Sequence, residues 1–192
     1  MKLQDRLPDG VTVDGRFYRL DFDFRNVLRM LEEMDEDVFP EAKAHNALSC
    51  LCKRPKNALK VYEAVQDLLF DKPSEKGQRV TDFVQDAGLI RAAFRQEYGI
   101  DLYRDKLHWI EFIELLCALP EGNRYTDVIS IRAREVPLPT KWNQKEREWL
   151  IREKAKVALK DTKEEQAEKY RHDVDNIAAF MMSMAKGSDW NG

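Results

Sequence analysis

One short stretch of the chain concentrates the side chains that could do chemistry. Residues 98–109, YGIDLYRDKLHW, place His108 among two tyrosines and a tryptophan, and imidazole is the side chain best suited to move protons near neutral pH. Trp109 lies seven residues before Leu116 and shares the apolar face predicted for the next helix, whereas His108 lies at its border. An imidazole there can donate to a carbonyl of the preceding loop. We therefore predict that His108 and Trp109 are structural, and that the aromatic crowding is packing.

The remaining candidates for catalysis or metal binding are scattered. The other histidines, His45 and His172, lie on separate segments without the spacing of metal ligands, and the sequence shows neither a phosphate-binding glycine loop nor a serine in a nucleophile elbow. Cys50 and Cys52 diverge by roughly 200° on a predicted helix, which disfavours a disulfide or a shared metal. With Cys117 they are expected to be buried, inert thiols in a reducing compartment. The sequence predicts no enzyme, no metal and no cofactor.

The net charge of the chain limits the kinds of partner that it can bind. Charged residues make up 35% of the 192 residues, yet the net charge is only −3, which argues against nucleic acid and against an anionic membrane. No stretch approaches the roughly 18 apolar residues that a membrane helix needs. The one compact basic cluster, residues 53–56 with Lys60, is explained by the preference of helix C-termini for cations. We expect no nucleic-acid partner and no membrane partner.

The hydrophobic pattern predicts a mainly α fold: a compact helical core with a small N-terminal β-hairpin and an extended C-terminal helical tail. The predicted units are residues 1–22 (the hairpin, packed on the core), residues 23–158 (the helical core domain) and residues 159–192 (the helical extension). Asp14-Gly15 between two short strand-like runs is typical of a tight hairpin turn. Because two strands alone are marginal in water, we expect the hairpin to pack on helices.

Apolar residues recur at helical spacing through the core domain. Local signals mark the helix ends: Asp23 and Asp86 can cap helices, Pro40 suits a first-turn position, and Gly99 lies where a left-handed helix stop is needed. The stripes expected to face the core are Phe24, Val27, Leu28 and Leu31; Ala44, Leu48, Leu51 and Cys52; Val61, Val65, Leu68 and Leu69; Leu89, Ile90, Ala93 and Phe94; Ile110, Ile113, Leu116 and Cys117; and Trp149, Leu150, Val157 and Ala158.

The content of apolar residues changes along the predicted C-terminal tail. Residues 160–169 carry almost no apolar side chain, and residues 161–165 offer a fresh capping box, which predicts a hinge or a bare helix. Beyond them an amphipathic helix presents an apolar stripe that needs a partner surface. The stripe can pack on the core of its own monomer or bind another chain, and methionine-rich surfaces adapt to varied partners. The residues that we predict to bind a partner are Tyr170, Val174, Ile177, Phe180, Met181 and Met184.

A long central run resembles a known family. LIRAAFRQEYGIDLYRDKLHWIEFIELLCAL followed by VISIR is similar to the bacteriophage gene-product-fifteen family of tail-region proteins. The hairpin and the helix start at residues 23–25 are similar too. The resemblance covers most of residues 10–158, and the chain beyond about Ala158 departs from it. The matching pieces are an Ala-Ala-Phe helix, a Tyr-Gly-Ile-Asp-Leu turn, a Leu-His-Trp helix start and an Ile-Ser-Ile-Arg segment, at residues 92–94, 98–102, 107–109 and 129–132.

The resemblance implies a phage or prophage gene that lies between those of the major tail protein and the tape-measure protein. Proteins at that position in long-tailed phages commonly act as tail assembly chaperones, which bind the tape-measure protein, recruit tail-tube subunits and are absent from the finished virion. We therefore expect a chaperone-like protein of the host cytoplasm that binds the tape-measure protein, the tail-tube protein or both, with a homo-oligomer as a further expectation. A structural minor tail or connector component is the alternative, and a nucleic-acid-binding regulator is the third. The resemblance carries over no catalytic residue.

Overall fold

Two strands and seven helices make up the described part of the chain. The computed structural model describes residues 4–34, 39–53, 55–70 and 78–162. The mainly α fold class with an N-terminal hairpin is confirmed. The contacts group residues up to Val157 as one compact unit. In chain order the elements are β1 (Gly10–Val13), β2 (Arg16–Arg19), α1 (Phe24–Met34), α2 (Pro40–Ser49), α3 (Ala58–Leu69), α4 (Ala87–Tyr98), α5 (Trp109–Cys117), α6 (Arg124–Ala133) and α7 (Gln144–Val157).

The hairpin forms where the sequence predicts it. β1 and β2 pair antiparallel, with Val11 opposite Tyr18. Asp14 and Gly15 have φ angles of 51° and 74°, and two successive positive φ angles are what a primed two-residue turn requires. Val11 and Val13 are buried, and β1 contacts α3. The hairpin is therefore held against a helix, as two strands need to be.

Helices α1, α2 and α3 pack against one another in chain order. The Asp23 carboxylate accepts a hydrogen bond from Arg25 N at 3.0 Å at the start of α1, and Pro40 occupies the first turn of α2, where its missing N–H is not needed. On α3, Val65 is fully buried but Leu68 is exposed. The helix starts are as predicted, whereas the prediction that Leu68 faces the core was wrong because α3 meets its neighbours over a narrower stripe.

The buried face of α5 includes Trp109 as predicted, whereas Ile110, Ile113 and Leu116 are only partly buried against the core. Trp109 and Phe112 are its buried residues, while Cys117 is exposed. Phe112 stacks on Phe24 and Phe94, with ring centroids 4.8 Å and 5.2 Å away. These rings come from α1 and α4, so they fix the rotation of α5 about its axis and turn Cys117 towards solvent. The prediction of a buried Cys117 was therefore wrong.

A buried ion pair joins α4 to α6. Arg132 donates to both carboxylate oxygens of Asp86, Nη1 to Oδ2 at 2.7 Å and Nη2 to Oδ1 at 2.9 Å. The two side chains are 10% and 2% exposed. Arg132 also donates from Nη1 to the Val80 carbonyl at 3.0 Å and from Nε to the Val157 carbonyl. The bidentate ion pair and these further hydrogen bonds offset the free energy that the two buried charges lose when they are removed from water.

Asp86 has a different role from the one predicted. It occupies the position before α4, but its side chain makes no capping hydrogen bond to that helix. Oδ2 instead accepts from Asp82 N at 3.0 Å and from Arg132. Thr81 Oγ1 lies 3.4 Å from the same oxygen and 2.9 Å from the Tyr125 hydroxyl. The predicted cap was wrong because a buried carboxylate is stabilised more by a guanidinium than by a neutral backbone N–H.

Helix α7 contacts α6 through a narrow strip. Leu150 is the buried residue of α7, and Lys154 Nζ donates to the carbonyls of Arg132 and Arg134 at 2.7 Å and 2.5 Å. Trp149, predicted to face the core, is exposed. That part of the prediction was wrong because the neighbouring Leu150 takes the single buried position and a lysine, rather than an apolar residue, makes the next contact.

Asp86→Asn tests the buried ion pair. The substitution leaves the Arg132 charge buried without its counterion, so we expect the free energy of unfolding to fall by about 3–5 kcal/mol in urea denaturation followed by circular dichroism. Glu153→Gln is the control, because it removes the partner of the exposed Lys156 and should change stability by less than about 0.5 kcal/mol. Equal effects of the two substitutions would contradict the account.

The burial of Tyr125 leads us to expect that the protein loses stability in alkaline solution. Burial raises the pKa of Tyr125, although the hydrogen bond with Thr81 opposes the rise. Because the pKa of the folded state exceeds the unfolded value of about 10, this contribution is fully present below about pH 10 and is lost as pH rises through the folded-state pKa. We expect Tyr125→Phe to lessen the decline of the unfolding free energy above about pH 10. Parallel declines in the variant and the unsubstituted protein would show that Tyr125 is not the cause.

Candidate partner-binding groove

Both imidazole nitrogens of His108 are engaged. Nδ1 accepts a hydrogen bond from Ile110 N at 3.1 Å, which caps α5, and therefore carries no proton. Nε2 lies 3.0 Å from the Pro8 carbonyl oxygen and is then the donor. The imidazole has neither a free acceptor nor an uncommitted proton. In this arrangement it joins the N-terminal segment to the start of α5.

Backbone hydrogen bonds reinforce the junction around His108. Trp109 N donates to the Phe22 carbonyl at 2.8 Å, and Phe24 N donates to the Leu107 carbonyl at 2.9 Å, so the starts of α1 and α5 are joined in both directions. The His108 ring packs edge-on against Phe22, with ring centroids 5.6 Å apart. The sequence predicted an acceptor in the loop before α5. The acceptor instead belongs to the N-terminal segment, which lies far away in the chain.

The surface beside His108 carries charges of both signs. A depression of about 630 Å³ there is lined by both acidic and basic residues, among them Asp9, Asp21, Lys53 and Lys106. Mixed charge of this kind suits no single class of charged ligand. In the described ranges, no group of three His, Cys, Asp or Glu side chains is arranged to hold a metal ion. A search of the same ranges for a helix long and apolar enough to cross a membrane found none.

An apolar groove runs between α1 and α4. Its wider part, of about 400 Å³, lies between these helices and the loop after α4. Its narrower part, of about 300 Å³, lies between α1 and the segment before α4. We call the two adjoining parts the α1–α4 groove. The residues that line it are Phe24, Arg25, Leu28, Arg29, Leu31, Glu32, Met34, Asp82, Phe83, Val84, Ala87, Ile90, Arg91, Leu102, Tyr103 and Phe112.

Packed aromatic rings support the floor of the groove. Phe24 and Phe112 line the wider part, and Phe94 stacks on Phe112 beneath them. Phe83 contacts both Phe112 and Trp109, with ring centroids about 6 Å apart. Such ring pairs add to the stabilisation that apolar burial provides. Because the rings belong to α1, α4, α5 and the segment before α4, the floor is preformed and cannot shift without moving several elements.

Arginines flank the wider part of the groove. Arg25 Nη2 donates to the Leu102 carbonyl at 2.9 Å and ties the loop after α4 to α1. The Arg91 guanidinium lies 4.8 Å from the centre of the Tyr103 ring, and Tyr103 itself is 72% exposed. Arg29 is exposed on α1. The wider part therefore combines an apolar floor with a rim that holds three arginines and Glu32, and one of the arginines, Arg25, is paired with Asp23.

The narrower part has an apolar edge and two acidic side chains. Val84 at its edge is 74% exposed. Asp82 accepts hydrogen bonds from Val84 N at 2.9 Å and Gln85 N at 2.7 Å, and Arg79 lies 3.0 Å away. Burial favours the neutral acid, but these hydrogen bonds and the Arg79 charge together keep the pKa of Asp82 below its ordinary value. Asp82 is thus a carboxylate paired with Arg79, and Glu32 is a second acidic side chain in this part.

The lining of the groove suits the binding of an amphipathic helix. Amphipathic helices bind by laying their apolar face in a hydrophobic groove, with anchoring side chains spaced at i, i+3, i+4 and i+7. The α1–α4 groove offers an apolar floor for such a face. Its arginine rim would meet acidic residues on the flank of the helix.

The structure describes only part of the predicted site. Gly99 ends α4 with a φ of 70°, and Trp109 is buried in the aromatic cluster beside His108. The predicted partner-binding residues Tyr170, Val174, Ile177, Phe180, Met181 and Met184 lie outside the described residues, so their role stays a prediction.

The sequence did not reveal the groove. Leu28 and Leu31 belong to a predicted core stripe, and periodicity cannot distinguish a half-buried groove wall from the core itself. The available signal was the apolar pair Phe83-Val84, which belongs to none of the predicted stripes.

Three substitutions of His108 separate its two hydrogen bonds. Asparagine places an oxygen where Nδ1 lies and should keep the cap of α5, whereas glutamine places a nitrogen where Nε2 lies and should keep the contact with Pro8. We expect His108→Ala to lower the unfolding free energy by about 1–2 kcal/mol, with smaller losses for the other two, in thermal and urea unfolding. The structural account fails if the alanine variant is as stable as the unsubstituted protein.

Comparison with known proteins identifies the family. A model of the family described as Bacteriophage Gp15 protein matches residues 3–159. That region contains the hairpin, the seven described helices and both walls of the α1–α4 groove. Searches of curated proteins and of solved structures found no match. Because the family match spans most of the chain, this protein belongs to the bacteriophage Gp15 family.

Proposed function

We propose that this phage protein is a tail assembly chaperone that acts in the host cytoplasm. In this role it binds the tape-measure protein, recruits tail-tube subunits during the assembly of a long tail, and leaves before the particle is finished. The observation that carries the proposal is the α1–α4 groove, an open apolar surface on a chain that belongs to a phage family. A preformed surface needs little ordering on binding, which favours the capture of a partner.

The proposed occupant of the groove is an amphipathic helix of the tape-measure protein. Apolar side chains on one face of that helix would lie on Leu28 and Phe83, which line the groove and are partly exposed. Acidic residues on its flank would lie near Arg29 and Arg91. Charge pairing at the rim mainly speeds association and selects the partner, whereas burial in the centre supplies the affinity.

A second contact is proposed for the C-terminal stripe. The predicted partner-binding residues between Tyr170 and Met184 recur at the spacing of one helix face, and they are separate in sequence from the groove. Two binding surfaces would allow one copy to hold the tape-measure protein and a tail-tube subunit together. The proposed role is not enzymatic, in keeping with an imidazole at His108 whose nitrogens are both engaged.

Charge reversal at the rim tests partner binding. The double variant Arg29→Glu with Tyr103→Asp changes two exposed positions of the wider part, so the fold should be retained. We expect it to bind the tape-measure protein of the same phage at least about tenfold more weakly in isothermal titration calorimetry. Arg124→Glu reverses an exposed arginine on α6, outside the groove, and should bind like the unsubstituted protein. Equal affinities of the double variant, the control variant and the unsubstituted protein would show that the groove is not the binding site.

The composition of purified virions distinguishes the two main roles. A chaperone should be absent from mature particles analysed by mass spectrometry, although present in infected cells. A stoichiometric amount in the particles would instead support the alternative, a structural minor tail or connector component.

A further inference from the structure

We propose that copies of this chain associate head to tail, with Trp142 of one copy inserted into the narrower part of the α1–α4 groove of the next. This goes beyond the proposed function because it requires no protein other than this chain. The starting observation is the exposure of Trp142, whose accessible fraction of 95% is the largest among the apolar side chains of the described residues. Tryptophan buries a large area when it enters a pocket and is enriched at the centres of interfaces.

The loop between α6 and α7 holds Trp142 away from its own chain. Asn143 accepts a hydrogen bond from Thr140 N at 2.8 Å and donates to the Leu138 carbonyl at 2.9 Å. Trp142 N in turn lies 3.4 Å from Thr140 Oγ1. A loop ordered by its own hydrogen bonds loses little conformational freedom on binding, so the indole is presented ready for contact.

The narrower part of the groove has the size and lining for one large side chain. Its volume of about 300 Å³ is at the small end of the range for ligand pockets, about 300–1,000 Å³. Leu28, Leu31 and Phe83 contribute apolar walls, and the Met34 thioether is a favourable neighbour for an aromatic ring. Val84 at the edge is exposed, which leaves this part of the lining accessible to another copy.

The charges beside the two surfaces are opposite in sign. Lys141 precedes Trp142 and Lys145 follows it by three residues, and all three are exposed. Glu32 is exposed at the cavity that would receive the indole, and Asp82, whose charge is paired with Arg79, lines the same cavity. Opposite charges at the margin of a contact favour one orientation over others. Because the tryptophan loop and the cavity are different surfaces of one chain, the contact is heterologous and each added copy leaves a free surface at both ends.

Two variants remove the two sides of the contact. Trp142→Ala deletes the inserted side chain, and Val84→Arg places a long, positively charged side chain at the edge of the cavity, opposite Lys141. Both positions are exposed, so both variants should fold, which circular dichroism checks. In sedimentation velocity of the full chain, we expect the unsubstituted protein to associate as its concentration rises and each variant to associate at least about tenfold more weakly. Phe17→Ala, which removes an exposed aromatic ring from β2, should behave like the unsubstituted protein.

A mixture of the two variants gives the decisive result. The Trp142→Ala chain keeps an intact cavity and the Val84→Arg chain keeps an intact tryptophan, so an equal mixture should form a dimer through one contact and stop there. A mixture that contains no species larger than the separate variants overturns the proposal. It is equally overturned if the unsubstituted protein stays monomeric, or if Trp142→Ala associates as strongly. No tape-measure protein is present, so any of these failures leaves the proposed function standing.

Discussion

The buried pair of Asp86 and Arg132 sets the geometry of the second half of the fold. One guanidinium on α6 holds the carboxylate before α4 and the carbonyls of Val80 and Val157, so four stretches of chain meet at a single side chain. The geometry of a buried ion pair is tightly constrained, because each buried polar atom left without a hydrogen-bond partner costs folding free energy. The residues between Asp82 and Asp86 carry one wall of the groove. The position of that wall is therefore a consequence of the ion pair.

A second fixed point lies at the start of α1. There His108 and the backbone around it join the starts of α1 and α5 to the N-terminal segment. With α1 fixed at one junction and the start of α4 fixed at the other, the aromatic rings around Phe112 fill the space between them and leave an open apolar surface. A surface held on both sides can receive a helix without rearranging. If the tryptophan of a neighbouring copy occupies its narrower part, self-association and partner binding compete for the same residues.

Local chemistry was enough to predict part of this structure. The pair Asp14-Gly15 predicts its hairpin turn because few other residues tolerate two positive φ angles, and helical periodicity predicts the mainly α fold. Contacts between distant segments were not predictable in the same way. Asp86 has the residue type and position of a helix cap, and only the structure places Arg132 beside it. A charged residue on the buried stripe of α6 was the available sign that a partner had to exist. Likewise nothing near His108 in sequence pointed to Pro8.

The central claim is that the α1–α4 groove binds a helix of the tape-measure protein. Hydrogen–deuterium exchange of the unsubstituted chain, alone and saturated with tape-measure protein, tests it most directly, because exchange reports where a bound partner stabilises the backbone. The account predicts slower exchange of amides in α1 and in residues 82–91, with the strands of the hairpin and α6 unchanged. Slower exchange confined to α6, α7 or the residues beyond them, with α1 and α4 unaffected, would contradict it.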